Sequence, residues 1–112
     1  MSNRYFDKFD MKVLYSIVKD VVKNNPNVHE FSERFIDRLN LPFTKQKDEE
    51  NGIRVLKSDN GYILELYLIV HYGVKIPELA WDLQVQIKDA IEEKFGINID
   101  KVNVHVQGVS LR

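Results

Sequence analysis

Proton transfer and metal binding near neutral pH fall first to histidine, and this 112-residue chain has three: His29, His71 and His105. His71 and His105 lie on stretches that alternate as strands and can share one sheet face, which invites a metal reading. Zinc needs about four ligands, or three and a water, in matched geometry. The chain has no cysteine, and no His-x-Glu or His-x3-His spacing. No metal site is therefore expected, and the two histidines read as polar residues on a partly wet face. Nucleophilic chemistry fares no better, because Ser2, Ser16, Ser32, Ser58 and Ser110 all lack a G-x-S-x-G setting. The glycines stand singly at turns or strand ends rather than clustered before a helix, so no phosphate-cradling loop is expected. Glu49-Glu50 and Glu92-Glu93 are adjacent in sequence and do not face each other across a cleft as an acid–base pair must. The expectation is no catalytic residue, no cofactor and no enzyme.

The totals exclude other classes. A formal net charge of -1 is the wrong balance for a protein that neutralises phosphates. Tyr67 could stack on a base, but Glu65 beside it and the acidic residues Glu78, Asp82, Glu92 and Glu93 have the wrong sign, so nucleic acid is not expected as a partner. No apolar run approaches the roughly 20 residues of a membrane span. The opening Met-Ser-Asn-Arg-Tyr-Phe-Asp lacks the apolar core of a signal peptide. A single domain over residues 1–112 with a cytoplasmic location follows, without direct membrane insertion.

The elements that position these residues follow from periodicity. Asp10 can cap a helix running from Met11 to Asn24, whose buried stripe is Val13, Leu14, Ile17, Val18 and Val21. Asn24-Asn-Pro-Asn27 stops it. Val28–Phe31 reads as a brief strand or as the lead into a short helix from about Ser32, with Phe31, Phe35 and Leu39 in line. Pro42 to Gly52 is polar and reads as an exposed connection. Asn60-Gly61 is the favoured pair for a two-residue hairpin turn. That turn would set Lys57 opposite Leu64, Val55 opposite Leu66 and Ile53 opposite Leu68. Ile53, Val55, Leu64, Leu66, Leu68 and Val70 then form one apolar face. Pro77 opens a second helix that buries Ile76, Leu79, Ala80, Leu83, Ile87, Ala90, Ile91 and Phe95, and Gly96 ends it. Trp81 and Val85 lie off that stripe, and Trp81 reads as a residue at the core's margin. Val102–Val109 alternates as a last strand, parallel to Tyr62–Tyr72 through a right-handed crossover. The fold class is α+β: a mixed β-sheet of three or more strands, a hairpin plus a βαβ crossover, with two main helices packed on one face.

The other sheet face is the candidate interaction surface: Leu56, Ile63, Tyr67, Ile69, His71, Asn103, His105 and Gln107. A solvated face should be mostly polar, yet Leu56, Ile63, Tyr67 and Ile69 are not. Either another part of the chain covers them, residues 28–43 or the N-terminus, or another molecule does.

Leu66-Tyr-Leu-Ile-Val-His-Tyr-Gly-Val-Lys-Ile-Pro-Glu78, the amphipathic helix after it and the closing Val102-Asn-Val-His-Val-Gln-Gly-Val109 closely resemble the alkaline shock protein family of Gram-positive bacteria. Asp10–Val21 is similar to that family's first helix, so the resemblance covers about residues 10 to 110. It implies a small, cytoplasmic, non-enzymatic interaction protein linked to cell-envelope stress or homeostasis. Such a protein self-associates and docks on a protein partner, in some members a membrane-anchored one. Other members are linked to fatty-acid metabolism, which implies as the alternative a small-ligand-binding regulator with a dry pocket between helix and sheet. The family has no established catalytic residues to carry over. The aromatic N-terminus and the polar Thr44–Asn51 loop depart from its usual pattern.

Overall fold

The computed structural model describes residues 11–32, 49–50 and 52–111. Along these run α1 (Met11–Lys23), β1 (Val28–Phe31), β2 (Glu49–Glu50), β3 (Ile53–Lys57), β4 (Tyr62–His71), α2 (Ile76–Phe95) and β5 (Ile99–Ser110). The five strands form one mixed sheet centred on β4. β5 runs parallel to β4 along its whole length, from Tyr62 opposite Ile99 to His71 opposite Ser110. The other edge of β4 is shared end to end: β3 pairs antiparallel with Tyr62–Leu66 and β1 with Leu68–Val70. Tyr67 sits at the junction, where its amide donates to the Gly52 carbonyl at 2.9 Å and its carbonyl accepts from Ser32 at 2.7 Å.

Both helices lie on one face of this sheet and close the core with it. Leu14, Tyr15, Val18 and Val22 of α1 and Leu79, Leu83, Ile87 and Ile91 of α2 meet Ile53, Val55, Leu64, Leu66, Leu68, Val70, Ile99 and Val102. Each fully buried aliphatic side chain contributes roughly 1.5–3 kcal/mol of transfer free energy. The four-residue spacing of the α2 stripe explains why that helix holds one flat face to the strands over its 20 residues. Gly96 ends it in the left-handed conformation, φ 70°, which an L side chain resists, and its amide donates to the Glu92 carbonyl at 2.8 Å. The Glu92 carboxylate then accepts from the Ile99 amide at 2.9 Å, while Lys88 bonds both that carboxylate and the Ile99 carbonyl. The Ile99 amide and the Lys88 ammonium hold this carboxyl below the ordinary carboxylate pKa. The crossover into β5 is thereby tied down where it leaves the helix.

Several expectations are corrected. The hairpin register is shifted by two residues from the one a two-residue Asn60-Gly61 turn would set, and the loop is longer: Lys57 faces Tyr62, Val55 faces Leu64 and Ile53 faces Leu66. The loop is Ser58–Gly61, closed by the Ser58 amide on the Gly61 carbonyl at 2.8 Å and the Gly61 amide on the Ser58 hydroxyl at 3.0 Å. Gly61 is not at positive φ; it is needed for space, because a Cβ there would meet the Asn98 carbonyl oxygen at 2.1 Å. A slip of two preserves side-chain parity, so the predicted apolar face survives intact and buried.

In α1 the stripe is rotated from the predicted one: Tyr15 and Val22 are buried while Val13 is exposed. Trp81 does not sit at the core's margin but is 63% exposed, with Val85 also on the surface. The presumed exposed connection ends in a strand, since Glu49 and Glu50 pair with Arg54 and Ile53 of β3. Val28–Phe31 is a strand. The Asp10 cap, the helix expected after Ser32 and most of the Pro42–Gly52 connection lie outside the described residues.

Candidate functional site

Opposite the helices, β3, β4 and β5 bring Arg54, Glu65 and Asn103 into one row across the sheet, with Tyr67 and His105 in the next. Alternation dictates that these side chains leave the face the helices cover. Glu65 is the hub. Its Oε1 accepts from His105 Nε2 at 2.6 Å and, at a long 3.5 Å, from the Tyr67 hydroxyl, and its Oε2 accepts from Asn103 Nδ2 at 3.0 Å. An ionised carboxylate can only accept, so His105 donates from Nε2 in this arrangement. The His105 ring lies nearly flat on the Tyr67 ring, centroids 4.6 Å apart at 12°.

Burial raises the Glu65 pKa, but the bonds from Asn103 and His105 and the positive charge of His105, when protonated, and of Arg54 outweigh it, and the carboxyl ends below its ordinary value. The Tyr67 hydroxyl moves the other way, pushed up by burial and by the Glu65 charge against the pull of Arg54. Glu65 is thus a preformed anion held by neighbours, with a side chain 17% exposed against 40% for His105. A carboxylate–imidazole pair can orient a general base. Here the imidazole is also stacked under a tyrosine, and its carboxylate is shared with an asparagine. The cluster presents a rigid polar patch with one ring edge reaching solvent.

The eight residues singled out from sequence distribute unevenly around this cluster. Leu56 and Ile63 face each other across β3 and β4, both half-buried. Ile69 lies between Gly108 of β5 and Glu30 of β1, and it too is half-buried. Tyr67 is on the expected face but only 3% exposed, so it is a support of the cluster and not the exposed anchor its type suggests. Asn103 and His105 join the cluster. Gln107 is passed over by the register, which steps from Leu68–Val106 to Ile69–Gly108. His71 is not grouped with His105; its ring meets the edge of His29 on β1, centroids 5.3 Å apart at 73°. Among the described residues no three His, Cys, Asp or Glu side chains converge as metal ligands would.

Residues 28–31, one candidate cover for this face, are instead a strand within the sheet; residues 33–43 and the N-terminal ten lie outside the described residues. Alternation also puts Arg54 and Glu65 on this face, but sequence reasoning did not name them as site residues. The signal was present in part, since Glu65 alternates with Ile63 and Tyr67, but the parallel register that puts Asn103 beside it is set by the crossover and not by any local motif. A cavity of about 300 Å³ lies elsewhere, between the hairpin loop and the α2–β5 connection, lined mostly by polar groups including Lys57, Asp59 and Asn98.

The model of the alkaline shock protein 23 family, described by a cell envelope-related function, matches residues 5–111. The uncharacterized protein YloU of Bacillus subtilis is 32% identical over 65 residues, 58% of this chain and 54% of that one. The uncharacterized protein Spy1614 of Streptococcus pyogenes is 31% identical over 67 residues, 60% of this chain and 55% of its own. The chain thus spans about half the length of these curated relatives. Among solved structures, a zinc form of a MamM C-terminal domain variant aligns with 92% of this chain and 87% of its own, at TM-score 0.46 and 12% identity. That likeness is too distant to bear on function. No helix among the described residues is long and apolar enough to cross a membrane.

Proposed function

The chain belongs to the alkaline shock protein 23 family, whose function is cell envelope-related, and from that premise we propose that it is a non-enzymatic, cytoplasmic interaction protein docking on a protein partner through the outer face of its sheet. The observation that carries this reading is the composition of that face. A fixed polar cluster of Glu65, Asn103, His105 and Tyr67 is flanked by the half-buried apolar side chains Leu56, Ile63 and Ile69. Neither α1 nor α2 lies over it. A preorganised polar centre beside apolar contact area costs little to dock on, because its side chains are already ordered. His105 offers the reachable polar edge. The membrane is then reached through the partner.

Native purification with and without Ile69→Glu tests this reading. A stoichiometric protein retained by the wild type and lost by the variant supports it, while a bound small molecule and no protein would favour a ligand-binding regulator. The ligand reading draws no support from the cavity at the hairpin loop, which is polar and lies away from the helix–sheet interior.

A further inference from the structure

The two edges of the sheet are protected very differently. One edge ends in β1 and β2, strands of four and two residues, with the charged Glu30 on β1 and a register irregularity at His29. Short length, charge and irregularity are the usual devices that stop an edge from pairing with another chain. The other edge is β5, twelve residues long. From Val102 to Ser110 it has no Lys, Arg, Asp, Glu or Pro. Among the described residues β5 pairs only with β4. A parallel ladder uses alternate residues of β5, and the N–H and C=O groups between them point away from β4.

We propose that a second copy of this chain pairs antiparallel with β5 along this edge, around a two-fold axis through Val104, joining two five-stranded sheets into one. The register follows from the strand itself. Its ladder with β4 is irregular at Asp100 and at Gln107, so the regular stretch is Lys101–Val106, and Val104 is the centre of Val102–Val106 within it. Antiparallel pairing about Val104 sets Val102 against Val106 of the second copy and Val104 against its equivalent. All of these lie on the helix-covered side, where Val102, Val104 and Val106 already pack against the core. Asn103 falls against His105 of the second copy on the outer face, a donor–acceptor match, and no like charges oppose each other. A two-fold axis normal to the sheet keeps both helix layers on one side, so the apolar and polar faces run through continuously. A foreign strand would need the same alternation; a second copy has it by construction. This inference is independent of docking through the outer face and leaves that face free in the dimer.

Cysteine trapping tests it without background, since the chain has no cysteine. A residue on the two-fold axis meets its own equivalent, whereas Lys101 and its equivalent are several residues apart. Under mild oxidation the Val104→Cys variant should form a covalent dimer at least about tenfold faster than Lys101→Cys, the gain expected when reaction becomes effectively intramolecular. Unmodified protein at about 100 μM should sediment near twice 13.2 kDa, as a micromolar affinity requires. Its alternate amides between Val102 and Val106 should exchange more slowly as concentration rises. A wild type that stays monomeric at that concentration overturns the proposal. So does equal trapping at the two positions. A dimer that resists trapping at Val104 and is dispersed by Ile69→Glu would move self-association to the outer face and equally overturn edge pairing.

Discussion

β4 turns Leu64, Leu66, Leu68 and Val70 toward the helices and Ile63, Glu65, Tyr67 and Ile69 away from them, so one strand serves two surfaces of different construction. The first surface is buried and mostly aliphatic, with Tyr15 and Tyr62 the aromatic residues among its fully or nearly buried side chains. Its order comes from packing, which is nondirectional and tolerates a hairpin slip of two residues without moving a side chain to the wrong side. The second is ordered by directed bonds, with Glu65 held by residues from a strand 38 and 40 positions away. Burial there is partial, and position is fixed by hydrogen-bond geometry. The two faces of one strand thus differ in what fixes their side chains: packing on one, directed hydrogen bonds on the other.

Substitutions should separate the two surfaces by magnitude. Leu66→Ala, on the aliphatic side and fully buried, should cost about 2–5 kcal/mol, read from urea denaturation, because the cavity relaxes only partly. Next comes Gly61→Ala, which keeps neither surface in place directly but pushes the hairpin loop off Asn98. A loss of about 1–3 kcal/mol is expected for overpacking against backbone, and an unchanged midpoint would show that the loop shifts freely.

The aliphatic surface was legible in the sequence because parity and apolar periodicity determine it. Ile53, Val55, Leu64, Leu66, Leu68 and Val70 could be assigned from alternation alone, and the error in the hairpin turn did not matter to them. The α1 stripe was read less well because val and ile recur there at several compatible phases, and Tyr15 was not counted as apolar. Trp81 misled because its size suggests burial, while its position on α2 points it away from the sheet. The outer cluster was half legible. Asn103 and His105 were on the right face, but Glu65 became the hub only through a parallel register that no local motif encodes.

On the polar surface the effects should be smaller. Glu65→Gln should destabilise by about 1 kcal/mol, since a weaker acceptor replaces the carboxylate between Asn103 and His105. The pH dependence has a definite sign. The folded-state pKa of Glu65 is lowered, so its ionised form adds stability that is fully present above the unfolded value, near 4.5, and is lost as pH falls through the lower folded value. The stability gap between wild type and Glu65→Gln should therefore narrow on acidification below that point; a gap that widens would contradict the assigned charge state.

The smallest effect on stability, and the largest on association, is expected for Ile69→Glu, whose side chain is half-buried opposite Gly108 and outside the aliphatic core. The direct test is titration of the purified partner into wild type and Ile69→Glu by calorimetry, with circular dichroism melts on the same samples. Docking through the outer face predicts native melts for both proteins and at least about a hundredfold weaker binding by the variant, as for a buried charge left unpaired at an interface. Equal affinity, or a variant that no longer folds, would contradict it.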